Sequence, residues 1–100
     1  AIDETIDQIP QVDLFICSET IEHLDDPETT LKKIRAKTKA LIVTTPDSEV
    51  NDSNPQHYWG WDSLGVRDLL EGAGFTPVIF NTLQFQDPNL VYDYQFWGCV

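Results

Sequence analysis

Apolar residues fall in short runs separated by polar stretches, and the form of each run predicts its element. Val12-Asp13-Leu14-Phe15-Ile16-Cys17 is nearly continuous, which is the pattern of a strand covered on both faces and hence of a parallel sheet. Asp26-Pro27-Glu28 then supplies an N-cap, a first-turn proline and a first-turn acid, and Leu31 and Ile34 recur at i, i+3, so a helix is expected to about Lys37. Ala40-Leu41-Ile42-Val43-Thr44-Thr45 is a second β-branched run, closed by Pro46 and the polar loop from Asp47 to Gln56. A second helix starts at Asp62 or Ser63, carries Leu64, Leu69, Leu70 and Ala73, and stops at Gly74, where glycine accepts the left-handed cap conformation. Thr76 to Leu83 reads as a strand, which Pro77 either enters or places at a sheet edge. Asp87-Pro88-Asn89 is a turn, and Val91 to Val100 is a last strand, antiparallel to the one before because the connection is short. The order β-α-β-loop-α-β-β is α/β architecture, two parallel crossovers followed by a hairpin.

Length and charge narrow the picture. One hundred residues make one domain at most, and a chain of that size buries only about 60 to 70% of its unfolded surface, so part of a larger domain is expected to be missing. Seventeen acidic against six basic side chains give a net charge of −11, which speaks against broad binding to a phosphate backbone. No apolar run approaches the roughly 20 residues of a membrane span, and no leader peptide is visible. Cys17 and Cys99 form no CxxC or His/Cys metal pattern and read as two buried thiols of a reducing, cytoplasmic protein.

The motifs carry a resemblance. Ser18-Glu19 closing the first strand, Thr20-Ile21-Glu22-His23-Leu24 with Asp26-Pro27, the Thr-Pro ending of the second strand, His57-Tyr58-Trp59, Asp62 and Leu69-Leu70-Glu71-Gly72-Ala73-Gly74-Phe75 occur in an order similar to that of class I S-adenosylmethionine-dependent methyltransferases. The likeness spans about Gln11 to Phe85. It implies the C-terminal half of that Rossmann-like sheet, strands 4-5-7-6 with strand 7 antiparallel and helices on the faces, so that residues 1–100 form a partial domain lacking the half with the glycine-rich cofactor loop. Gly72-Ala73-Gly74 follows a helix instead of opening one and cannot replace that loop.

Within the family, Glu19, Glu22 and His23 in E-x-x-E-H spacing resemble the ubiquinone-type O-methyltransferases and the small-RNA 2′-O-methyltransferases. The chain departs from the RNA enzymes at Asp47, at its single His57, and in its acidity. The implied activity is methyl transfer from S-adenosylmethionine to a hydroxyl, of a small molecule in preference to nucleic acid. Two other readings stand beside it: metal-dependent 2′-O-methylation of RNA, and a degenerate, non-catalytic interaction module. The implied partners are a small-molecule substrate and either an oligomeric mate or the missing N-terminal half, with no membrane.

Ligands of open parallel sheets bind at the carboxyl ends of the strands, where Ser18, Glu19, Thr45 and Pro46 lie. By the resemblance Ser18 and Glu19 line the methionine side of the cofactor, and residues after Thr45 roof the acceptor pocket; the plain alternative is that Ser18 caps a turn and Glu19 is solvated. Glu19, Glu22 and His23 stand at i, i+3 and i+4 and share one face if their turn is helical. With His57 they would make a two-Glu, two-His site for Mg²⁺, Mn²⁺ or another divalent ion; alternatively Glu22 and His23 serve in hydrogen bonds that fix the loop. Glu19 and His57 are the candidate catalytic residues, His57 as a general base or as a packing residue. Tyr58, Trp59 and Trp61 either enclose an acceptor or pack over the sheet. The strand order puts the final strand between the second and third, which leaves Cys17 and Cys99 two strands, about 9 to 10 Å, apart and therefore free.

Overall fold

Leu31, Ile34 and Leu70, which carry the expected helical periodicity, are wholly buried, as is Val66, whereas Leu64, expected with them, is 68% exposed; the buried set packs against Leu41, Val43, Trp97 and Cys99 of a sheet. The computed structural model describes residues 2–47, 61–87 and 90–100. Its elements are α1 (Ile2–Gln8), β1 (Val12–Ser18), a 3-10 turn (Ile21–His23), α2 (Pro27–Lys37), β2 (Thr38–Pro46), α3 (Ser63–Gly72), β3 (Pro77–Asp87) and β4 (Leu90–Cys99). The sheet order is β1-β2-β4-β3, with β1 and β2 parallel and β4 antiparallel to both neighbours. The expected α/β fold, the insertion of the last strand and the free, buried state of Cys17 and Cys99 are thus all found.

The helix ends follow the chemistry of their caps. Asp26 accepts from Thr29 N at 3.2 Å and from the Thr29 hydroxyl at 2.7 Å, and these bonds hold its carboxyl below the ordinary range. Asp62 accepts from Gly65 N at 2.7 Å. At the far end of α3, Gly74 takes φ 99°, so that its N–H reaches Glu71 O and Phe75 N reaches Leu70 O, both at 3.0 Å, and Phe75 turns down into the core. Burying each such side chain contributes about 1.5 to 3 kcal/mol.

The structure adds one element to those expected and corrects two. Helix α1 was not foreseen; Ile6 seats it in the core, and Lys33 of α2 donates to Asp7 at 3.2 Å. β3 runs on to Asp87 because its ladder with β4 continues to Leu90. The reading of β1 as covered on both faces fails, since Phe15 and Cys17 face the core while Leu14 is 47% and Ile16 62% exposed. Pro77 is both the first residue of β3 and on an edge strand, and a bulge separates it from Ile79.

Candidate functional site at the carboxyl ends of β1 and β2

β1 and β2 are parallel and in register, Cys17 beside Val43 and Ser18 beside Thr44, so their carboxyl ends open on the same side of the molecule. The chain leaves β1 through Ser18, whose Oγ lies 3.0 Å from Thr44 Oγ1. Glu19 then takes φ 49°, the left-handed region that costs a residue with a Cβ on the order of 1 kcal/mol or more. Bonds to one residue of β2 offset that strain, because Glu19 N donates to Thr44 O at 2.9 Å and lies 3.2 Å from Thr44 Oγ1. The Thr20 hydroxyl donates to Ser18 O at 2.8 Å, and the 3-10 turn follows, closed by His23 N to Thr20 O at 3.0 Å.

The turn is driven inward by Ile21, wholly buried, and it takes Glu22 with it to 1% exposure. A buried carboxylate needs a donor, and the Thr45 hydroxyl, itself fully buried, donates to Glu22 Oε2 at 2.9 Å. His23 stays half-exposed with Nε2 3.8 Å from Glu22 Oε1. Thr44 and Thr45 point to opposite faces of β2, so one strand end grips the turn twice: Thr44 holds Ser18 and Glu19, Thr45 holds Glu22. The sequence reading saw the Thr-Thr pair as a strand ending and missed this clamp, which joins residues 23 to 26 positions apart.

The turn is too short and too kinked for the single helical face on which Glu19, Glu22 and His23 were expected to converge. Only Glu22 and His23 lie inside it, and Glu19 stands before it in left-handed backbone. Among the described residues no group of three His, Cys, Asp or Glu side chains could hold a metal ion. His57, Tyr58 and Trp59 lie outside the described residues. Trp61 packs against the core cluster, and its carbonyl accepts from buried Gln95 Nε2 at 2.8 Å, while Gln95 Oε1 accepts from Trp97 Nε1 at 2.9 Å.

Ser18 and Glu19, the expected cofactor-lining residues, lie together where β1 ends beside β2. None of the described glycines opens a helix directly after a strand: Gly65 and Gly72 are in α3, Gly74 follows it, and Gly98 is in β4. A cavity of about 720 Å³ bordered by Arg67, Phe75, Val78, Phe80 and Trp97 lies toward the amino end of β2 and is separate from this site.

Comparison with known proteins bears on the fold. No protein-family model matches the sequence, and no curated protein matches it. Solved methyltransferase structures do match. The Burkholderia thailandensis 1,6-didemethyltoxoflavin-N1-methyltransferase, solved with its substrate and S-adenosylhomocysteine, superposes with a TM-score of 0.71 at 17% identity over 94% of this chain and 47% of its own. The magnesium protoporphyrin IX methyltransferase of Synechocystis PCC 6803, with bound SAH, gives 0.65 at 12% identity over 94% and 48%. A putative methyltransferase from Bacillus halodurans gives 0.64 at 13% identity over 94% and 68%. At these identities the likeness shows a Rossmann-like methyltransferase fold, and the chain spans about half the length of the first two structures.

Proposed function

We propose that the chain is the carboxyl-terminal half of an S-adenosylmethionine-dependent methyltransferase domain, and that the complete domain methylates a hydroxyl of a small molecule in the cytoplasm. One observation carries the reading: the E-x-x-E-H turn sits at the carboxyl end of β1, clamped by Thr44 and Thr45, in a sheet whose strand order is the one the motifs imply. The buried free thiols Cys17 and Cys99 support a reducing compartment.

S-adenosylmethionine supplies an electrophilic methyl on a sulfonium. This chain's part is to position and to exclude water, effects that supply roughly 7 to 11 kcal/mol in well-oriented model reactions. Ser18 and Glu19 would line the cofactor, their backbone fixed by Thr44. Glu22 acts in this scheme as the internal anchor of the turn, and no metal is required. His57, assigned from its motif position alone, would take the proton of the acceptor hydroxyl.

Calorimetry tests the reading. The 100-residue chain should show no measurable affinity for S-adenosylmethionine, while the longer native polypeptide that contains it should bind at micromolar levels and lose binding in Glu19→Ala. Micromolar binding by the short chain would overturn the half-domain assignment, and absence of binding by the longer one would overturn methyl transfer. Activity that vanishes with chelator would replace the metal-free scheme by the divalent-ion one.

A further inference from the structure

The sheet edge away from β1 is β3, and its sequence sets it apart. Gly72 to Gln86 is the longest stretch of the chain without Asp, Glu, Lys or Arg, although 23% of all residues are charged. Pro77, which lacks an amide donor, and the bulge between Pro77 and Ile79 blunt only the start of this edge. From Ile79 to Asp87 the ladder with β4 is unbroken, and the strand there has no proline, lysine or arginine. Every residue from Val78 to Gln84 is exposed, on the face shared with buried Trp97 as on the other. The far end also lacks a third strand among the described residues. β2 pairs with β4 only as far as Pro46 and Tyr94, so the last four pairs of the hairpin, from Gln84 with Asp93 to Asp87 with Leu90, form a two-stranded arm. Two-stranded ribbons are marginally stable alone, and a long, uncharged, β-prone edge is a template for another strand.

We propose that β3 is the interface of a twofold dimer, in which the same strand of a second copy pairs with it antiparallel and joins the two sheets into one. Charge selects both the occupant and the direction. Each copy carries −11, so two copies meet with least repulsion where the surface is neutral, and β3 is neutral from Pro77 to Gln86. Parallel pairing would set the two Asp87 residues side by side, whereas antiparallel pairing holds them ten residues, about 33 Å, apart. A twofold interface needs one patch that complements itself, which an antiparallel edge strand does through its backbone. Full overlap of the 11 residues puts Thr82, their midpoint, on the dyad, and residues 77 to 80 of the second copy become the third strand of the arm. Such a contact is smaller than the roughly 20 to 30 residues a side of a standard interface, so the dimer is weak and sensitive to salt. No cofactor or catalytic step enters the inference, which stands or falls apart from the methyltransferase reading.

Sedimentation equilibrium of the native polypeptide that contains these residues tests it. A monomer–dimer equilibrium should appear at micromolar concentration and tighten at least about tenfold between roughly 0.02 and 0.5 M NaCl, as screening removes the repulsion between copies. Thr82→Glu puts like charges opposite each other at the dyad and should weaken the dimer at least about tenfold with unchanged circular dichroism, whereas Gln8→Glu, which adds the same charge on α1, should leave it intact. On mild oxidation Thr82→Cys should form a disulfide between copies, because directly opposed Cα atoms lie about 4.5 to 5.5 Å apart. The native thiols are buried and should not compete. Gln86→Cys, eight residues or about 26 Å from its own copy in this arrangement, should not cross-link. A monomer at every salt concentration would overturn the proposal. So would a dimer that Thr82→Glu leaves intact, which would lie on another surface, or cross-linking through Gln86→Cys as fast as through Thr82→Cys, which would make the strands parallel.

Discussion

Leu41 and Val43 on one face of β2 are buried to within 1%, whereas Ile16, of similar size on the outer face of β1 next door, is 62% exposed. Both belong to apolar runs of the same appearance in the sequence. Along β1 alone, Phe15 and Cys17 look inward to the core that α2 and α3 cover, and Leu14 and Ile16 look outward. A continuous apolar run therefore does not by itself show that both faces of its strand are covered.

The sharpest way to break this contrast is a matched pair of truncations. Leu31→Ala, on the covered side, should lower stability by about 2 to 5 kcal/mol, and Ile16→Ala, on the bare side, by less than about 0.5 kcal/mol, both read as urea midpoints. Comparable losses would mean that the outer face is covered within this chain. Next in size is the clamp: Thr45→Val removes the hydroxyl that donates to buried Glu22 and should cost about 1 to 3 kcal/mol, while Thr45→Ser should restore most of it. Asp62→Ala removes the N-cap of α3 and should cost about 1 kcal/mol, detected as a lower midpoint with an unchanged slope.

The smallest effect is silent at neutral pH. Burial pushes the thiols of Cys17 and Cys99 up to about 11, so both should resist iodoacetamide at pH 8 in the folded chain and react once it is unfolded in urea. Unfolded thiols ionise near pH 8.5, below the folded value, so the unfolded state holds fewer protons in between. Stability should therefore be flat below that pH and decline as pH rises towards 11. Native alkylation at pH 8 would show that one thiol is on an open face.

What could be read from the sequence was what local chemistry writes. Asp26, Asp62 and Gly74 marked helix ends because caps act within a few residues, and the apolar runs located the strands. The order β1-β2-β4-β3 followed from connection lengths joined to the family resemblance. Helix α1 escaped because seven residues hold barely two turns, in which Ile2 and Ile6 give one periodic pair. The left-handed Glu19 and the pairing of Glu22 with Thr45 escaped because they are made by a parallel crossover that brings residues more than 20 positions apart into contact, and no spacing rule along one segment encodes it.

The connection from β2 to α3 leaves and returns on neighbouring points of one strand. At its exit Asp47 N donates to Asp93 O at 3.0 Å, and at its return Trp61 O is held by Gln95, two residues further along β4. Such an attachment works like a socket. With both ends fixed to the same rigid strand, lengthening the intervening segment adds only the slow logarithmic cost of closing a larger loop, about 0.6 kcal/mol for each doubling. Both anchors are on β4, so the strand itself ties the end of β2 to the start of α3.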